Sequence, residues 1–300
     1  MPFKISVLAG LPRSRQGILW MVMAACLFAA QDAIAKSLSI DHSTIQILWA
    51  RFIVPVIVLA VIYRRRLPRV VATQQIGLQL LRSAFFLGML AFLFSAYRVM
   101  PLADASAILF FGPVVVTALS YPVLGQWVGP RRWAAVSVGF IGALIVIRPG
   151  GEVFQIASLL ALGAAFLSAS QQIVIPILGR TDSAETTFWY TSLIGAGITS
   201  AALGFIWVTP DIAGWGLFVG IGLMGCLSQY GLIKAFDTAP AATVAPFLYT
   251  MLLWTTLFGF ILFGDLPDMW TVFGGLVVAG SGLYILRRDQ LSTTDEARPS

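Results

Sequence analysis

AYRVMPLADASAILFFGPVVVTALSYPVLG, residues 96–125, and AFDTAPAATVAPFLYTMLLWTTLFGFILFG, residues 235–264, read as two copies of one segment. A shift of 139 residues carries Ala96 to Ala235, Pro101 to Pro240, Ala103 to Ala242, Leu109 to Leu248, Thr117 to Thr256 and Gly125 to Gly264. Each copy predicts an apolar helix with a proline at its start and a glycine at its end. A second window agrees. A shift of 140 carries Leu19, Ala24, Ala25, Leu27, Ala29 and Gln31 to Leu159, Ala164, Ala165, Leu167, Ala169 and Gln171. Nearly equal shifts at distant windows mark a duplicated chain, with copies over residues 17–150 and 151–287.

What kind of chain is duplicated follows from composition. Of the 300 residues 58% are apolar and only 11% charged, against about 25% charged in soluble domains. Such a chain has too little polar surface to fold in water, and it predicts an all-α polytopic membrane protein. Ten apolar runs are expected to cross, at 17–36, 44–63, 76–97, 102–124, 132–147, 153–178, 184–208, 212–236, 241–264 and 268–286. The ten-residue alternation of a membrane barrel is missing, so helices, which satisfy their own backbone groups, are the assignment. Residues 1–16 form a basic leader, and the polar tail over 288–300 is expected to be disordered. Ala33-Ile34-Ala35 has the look of a signal-peptidase site, but Gln31 and Asp32 interrupt the run before it, and the run has a counterpart in the second copy.

Lys4, Arg13, Arg15, Arg64, Arg65, Arg66, Arg69, Arg131, Arg132, Arg180, Lys234, Arg287, Arg288 and Arg298 fall on one side of this ten-crossing scheme; Lys36, Arg98 and Arg148 fall on the other. That bias predicts both termini in the cytoplasm of a bacterial cell, with the protein in its inner membrane. Five is odd, so the second copy crosses in the opposite sense to the first. Inverted repeats with a site between them are a construction of secondary transporters.

The same residues argue against other classes. The net charge of +6 is accounted for by topology rather than by nucleic acid. HExxH and a Walker A loop are absent, so neither metalloprotease nor ATPase chemistry is expected, and no cofactor or metal is required. Gly280-Ser281-Gly282 could suggest a serine nucleophile, but the single histidine, His42, lies in a distant loop. Cys26 and Cys226 sit within apolar runs and read as small buried side chains. An intramembrane enzyme is therefore disfavoured.

Ten helices in two halves, a proline at the start of the fourth helix of each half and a glycine followed by a polar residue at its end resemble the EamA-type transporters of the drug/metabolite transporter superfamily. That family commonly reads leucine-glycine-glutamate at the last position, where this chain has Leu124-Gly125-Gln126 and Phe263-Gly264-Asp265. No role is carried over for the missing glutamate. The resemblance spans about residues 17–287 and implies export of small metabolites by alternating access, with amino acids, aromatic ones included, as the expected substrates. Within the family the aromatic amino-acid exporters are the branch this chain resembles most. Other solutes carried in the same fold, such as nucleotide sugars or cationic drugs, are the alternative.

Polar residues inside the apolar runs are the candidates for the substrate site, because a charge at helix centre costs roughly 2.5–3.5 kcal/mol on insertion scales. Gln31 and Gln171 are matched by the repeat and could meet a polar substrate or bond between helices. Asp32 and Lys36 share a helix face at i, i+4, and either compensate each other or form a charged wall. Arg51 suits a substrate carboxylate or Asp32. Trp189, matched to Trp49, and Tyr249 could stack on an aromatic substrate or belong to interface belts. Arg82 is expected to snorkel, and Asp104 to sit against a helix N-terminus. Gly216-x-x-x-Gly220 predicts close packing inside one chain, a monomer, with a dimer as the alternative. Pro55, Pro113, Pro122, Pro176 and Pro246 predict bending points.

Overall fold

The computed structural model describes residues 12–124, 130–147, 156–204 and 206–296. Among them the regular elements are helical: α1 (Arg13–Leu38), α2 (Thr44–Tyr63), α3 (Leu67–Val71), α4 (Ile76–Tyr97), α5 (Leu102–Leu109), α6 (Gly112–Leu124), α7 (Pro130–Ile147), α8 (Ile156–Leu178), α9 (Ala184–Leu203), α10 (Ile212–Thr238), α11 (Ala241–Val244), α12 (Met251–Phe263) and α13 (Met269–Glu296). A 3-10 turn, Ala245–Thr250, joins α11 to α12. Seven helices of the described residues are long and apolar enough to cross a membrane, and Trp133–Ile147 and Met269–Tyr284 are shorter apolar helices.

The duplication is visible in local structure. Helices α2 and α9 each hold 20 residues and start 140 positions apart. Each opens on a serine that caps its free N–H groups: Ser43 accepts from Gln46 N, and Ser183 from Thr186 N. Packing repeats it too. Helix α1 lies on α10 and α4 on α8, while α2 meets α9 and α7 meets α13. Exchanging the halves turns the first pair into the second and leaves the last two unchanged, which is the contact pattern of a pseudo-two-fold axis. With five crossings per half, the fold is two inverted five-helix repeats.

Between helices there is little room. The Phe52 ring lies on Gly195, where an added Cβ would come within 2.6 Å of it, and Val54 fills the place of a side chain at Gly222. Helices α7 and α13 approach through Gly142 and Gly274, with a Cβ at Gly274 only 2.7 Å from the Gly142 carbonyl. These contacts correct the expectation for Gly216-x-x-x-Gly220. Gly216 faces open space and Gly220 touches only Ile34, so the packing glycines of α10 are Gly222, Gly225 and Gly231.

Other boundaries shift. Helix α9 ends at Leu203 rather than 208, because Pro210 and the run 206–211 carry the chain over to α10. Helix α1 begins at Arg13, inside the expected leader. Helix α13 continues to Glu296 through the first part of the tail expected to be disordered; no glycine or proline interrupts residues 283–296. Gly125, Gln126 and Arg148 lie outside the described residues.

The fourth helix of each half is broken. In the first half α5 stops at Leu109 and α6 resumes at Gly112, and Pro113 has no N–H to offer the Leu109 carbonyl. In the second the 3-10 turn around Pro246 interrupts the same helix. The two prolines are not matched by the shift of 139, yet the breaks are.

Candidate functional site

At the breaks the halves meet. The Phe110 and Tyr249 rings lie 4.9 Å apart, centroid to centroid. Around them pack Ala25 and Ala29 of α1, Phe111, Val114, Met251 and Val278, with Trp254 stacked on Phe258 at the edge. The Tyr249 hydroxyl is pressed into the place a side chain at Gly282 would take. Neither that hydroxyl nor Trp254 Nε1 has a hydrogen-bond partner among the described residues.

One turn beyond Ala29, α1 presents Gln31 and Asp32, 2% and 3% exposed. The Tyr97 hydroxyl donates to Asp32 at 2.8 Å. Phe94 stacks on the Tyr97 ring, and Ser106 of α5 sits beside its hydroxyl. Gln31 Oε1 has no partner among the described residues. Arg51 reaches in from α2. It is 2% exposed, and its guanidinium occupies the space left by the missing side chain of Gly225. It lies near enough to Asp32 and Cys226 to interact electrostatically, but no ion pair joins Arg51 to Asp32 and its Nε has no partner among the described residues. Gln31, Asp32, Arg51 and Tyr249 thus gather on the His42 side of the helix breaks and at the breaks themselves.

Asp32 and Lys36 do not pair. Lys36 Nζ instead meets Asp265 at 2.5 Å, bonds the Met100 carbonyl at 3.3 Å and lies over the Phe263 ring. Asp265 follows Gly264, whose φ of 70° ends α12 and lets Asp265 N reach back to the Gly259 carbonyl. The pair ties α1 to the end of α12 across the halves. Spacing along one helix showed Lys36 beside Asp32; it could not show a carboxylate 229 positions away.

Gln171 and Trp189 lie elsewhere. Both glutamines stand past the midpoints of their helices, and α1 and α8 run in opposite senses. At 1.5 Å per residue each is displaced by roughly 6–9 Å toward opposite faces. Gln171 bonds Met89 Sδ at 3.8 Å and leaves its Oε1 unpartnered. Trp189 packs with Leu59 and Val70 near the end of α2, remote from Asp32. Arg82 does not snorkel freely; its Nη1 donates to Thr191 at 2.5 Å. Thr191 is the residue a shift of 140 assigns to Arg51, so each of the two equivalent seams, α2 with α10 and α4 with α9, holds one arginine.

At the Asp182 face a polar cluster fastens the halves, with Gln79 Oε1 left without a partner among the described residues. Asp182, between α8 and α9, accepts from Thr73 at 2.5 Å and Gln79 at 2.7 Å. Burial alone would push its carboxyl up; hydrogen bonds from Thr73, Gln79, the Gln74 backbone and Thr181 outweigh that and hold it below the usual carboxylate range. The equivalent residue on the other face is His42, which meets Phe218 at 4.9 Å. A cavity of about 440 Å³ lies between α6, α7 and α8, on the far side of Phe111 and Val114 from the polar residues, and its walls also include Phe140 and Phe166.

The EamA-like transporter family profile matches residues 15–148 and again 155–287. The chain belongs to that family. It is similar to a riboflavin transporter of Vibrio cholerae, 32% identical over 90% of this chain and 92% of that one. An S-adenosylmethionine uptake transporter of Rickettsia bellii is 25% identical over 90% and 93% of the two chains. A pseudopaline exporter of Pseudomonas aeruginosa is 24% identical over 91% and 96%. A crystal structure 16% identical in sequence superposes with a TM-score of 0.64 over 91% of this chain and 98% of that one, a likeness of fold. The protein is a small-molecule transporter of the EamA type rather than an enzyme. Sequence reasoning missed Ser106, Phe110 and Asp265 as partners at this site; the shift of 139 that pairs residues 110 and 249 was the signal for one of them.

Proposed function

We propose that the chain carries a neutral, planar, hydrogen-bonding metabolite of the riboflavin class across a bacterial inner membrane, between its two repeats. The observation behind this is the set of buried polar atoms near the breaks that have no partner among the described residues: Gln31 Oε1, Arg51 Nε, the Tyr249 hydroxyl and Trp254 Nε1. A buried polar group left unsatisfied costs about 1–3 kcal/mol, so a solute that answers several of them is held by groups that nothing else uses. A flavin offers carbonyl and imide groups along one ring edge, hydroxyls on its side chain, and flat faces for aromatic neighbours such as Phe110 and Tyr249. The riboflavin transporter that shares 32% of its residues supports the same class. The distribution of Lys and Arg supports cytoplasmic termini and, with them, a His42 face turned outward.

Export of amino acids, aromatic ones included, the expectation from the sequence, is the second reading. The aromatic residues favour it equally. An amino acid also brings an ammonium group that needs an anion, and the carboxylate of the site, Asp32, is already bonded by Tyr97 and faces Arg51.

Counterflow separates the two. Purified protein in liposomes loaded with unlabelled riboflavin should draw in labelled riboflavin, competed by flavin analogues and not by phenylalanine, tryptophan or S-adenosylmethionine. Exchange of phenylalanine or tryptophan with none of riboflavin would replace the proposal by the second reading.

A further inference from the structure

Asp32 is left without a task by the reading above. It is a carboxylate 3% exposed within the last two turns of a membrane-spanning helix, on the surface where the halves meet. Such a group is costly and needs a reason. The charged and titratable groups that pack toward it are few. Tyr97 of α4 donates to it; Arg51 of α2 faces it without forming an ion pair; Asp104 opens α5. Cys226 of α10 lies beside Arg51, and Tyr230, further along α10, packs against Trp20. Tyr249 stands at the break, and Lys36, one turn along α1, is held by Asp265.

An ionised Asp32 and Arg51 attract each other through the protein, and that attraction competes with whatever else Arg51 could bond. A solute whose carbonyl groups accept from Arg51 weakens the hold on Asp32 and favours its protonated form. By reciprocity, protonating Asp32 frees Arg51 for the solute. Proton and solute then bind together and leave together.

We infer that Asp32 is the proton carrier of this transporter, and that transport is solute–proton symport. On one side of the membrane the Asp32 carboxylate takes a proton from water, forming one O–H bond, as the solute settles on Arg51. The repeats rearrange, and on the other side the proton returns to water as the solute leaves. The empty protein goes back with Asp32 ionised and compensated by Arg51. The inference rests on the proposed substrate only in using riboflavin as the probe.

Two measurements on the full-length purified protein test it. In liposomes with an imposed proton gradient, riboflavin should accumulate on the alkaline side, about ten-fold per pH unit for one proton per solute. Asp32→Asn should bring that ratio back to about one by the same energetics, and Asp32→Glu, which keeps a carboxyl, should restore part of it. Gel-filtration elution of both variants reads whether they are folded. Infrared difference spectra taken without any solute should show a protonated carboxyl band that titrates with pH in the natural protein and is missing from Asp32→Asn. Accumulation indifferent to the gradient, accumulation retained by Asp32→Asn, or no titrating band assignable to Asp32 would each overturn the inference. Absence of riboflavin binding, read by flavin fluorescence, would instead overturn the substrate proposal, and the carboxyl band would still decide the proton claim.

Discussion

Phe110 and Tyr249 occupy equivalent places in the two repeats, 139 positions apart, and their rings are in contact at 4.9 Å between centroids. Residues that a two-fold operation exchanges can touch only beside its axis. The axis therefore passes through the breaks in the two fourth helices. Any rocking of one half against the other pivots there, beside the polar atoms without protein partners.

Tyr249→Phe is the sharpest probe of that place. The hydroxyl has no partner among the described residues, so its loss should leave the melting temperature nearly unchanged. If the solute uses it, one hydrogen bond of about 0.5–1.5 kcal/mol is lost, and KM for riboflavin should rise roughly two- to ten-fold. An unchanged KM would assign the hydroxyl to the fold alone.

Gly225 and Gly222 offer a matched pair on α10. A methyl group at Gly225 collides with the Arg51 guanidinium, and one at Gly222 with Val54. Both Gly225→Ala and Gly222→Ala should lower the melting temperature, since overpacking costs about 1–3 kcal/mol. Gly225→Ala should in addition lower riboflavin affinity, because it displaces Arg51. Equal affinities in the two variants would show that the position of Arg51 does not matter to binding.

The ion pair between Lys36 and Asp265 has no counterpart at the other end. The repeat assigns Pro176 to the place of Lys36 and Gln126 to that of Asp265, and neither carries charge. Its side chains are 16% and 31% exposed, so it is neither fully solvated nor fully buried and is worth on the order of 1 kcal/mol. That suffices to shift a two-state balance roughly five-fold. Asp265→Asn should speed thiol labelling of a cysteine placed at Ser39, and the exchange Lys36→Asp with Asp265→Lys should slow it again. Labelling rates that do not change would show that the pair does not hold this end closed.

How much of this was legible beforehand differs between fold and site. Apolar runs, a common shift and an odd number of crossings are properties of the chain as written, and they foretold helices and inversion. The start of α5 fell at its predicted residue because Pro101 dictates it. The end of α13 did not, because polarity marks the edge of a membrane and leaves a helix free to continue. Asp32 and Arg51 stood out because charge in an apolar run is conspicuous. Their partners did not, since Tyr97, Asp265 and Gly225 are ordinary residues until folding sets them beside a charge. Trp189 stands apart from Asp32 for the converse reason: a repeat places a residue in an equivalent spot, and an inverted repeat places that spot on the opposite face.

Asp182 gives a prediction in pH. Its carboxyl is held below the usual range by the hydrogen bonds it accepts, so the folded form prefers the ionised group more than the unfolded chain does. For a depressed acid the stabilisation is complete above the unfolded value, about 3.9, and drains away as pH falls through the folded one. Melting of the purified protein should therefore fall more steeply than that of Asp182→Asn as pH is lowered below about 4, and the two curves should run parallel from pH 5 to 8. Gln79→Leu removes the donor at 2.7 Å and should shrink the acid-dependent part without abolishing it, because Thr73 still donates. If the two curves instead stay parallel through the acid range, the cluster that ties residues 73–79 to the α8–α9 loop does not contribute to holding the halves together.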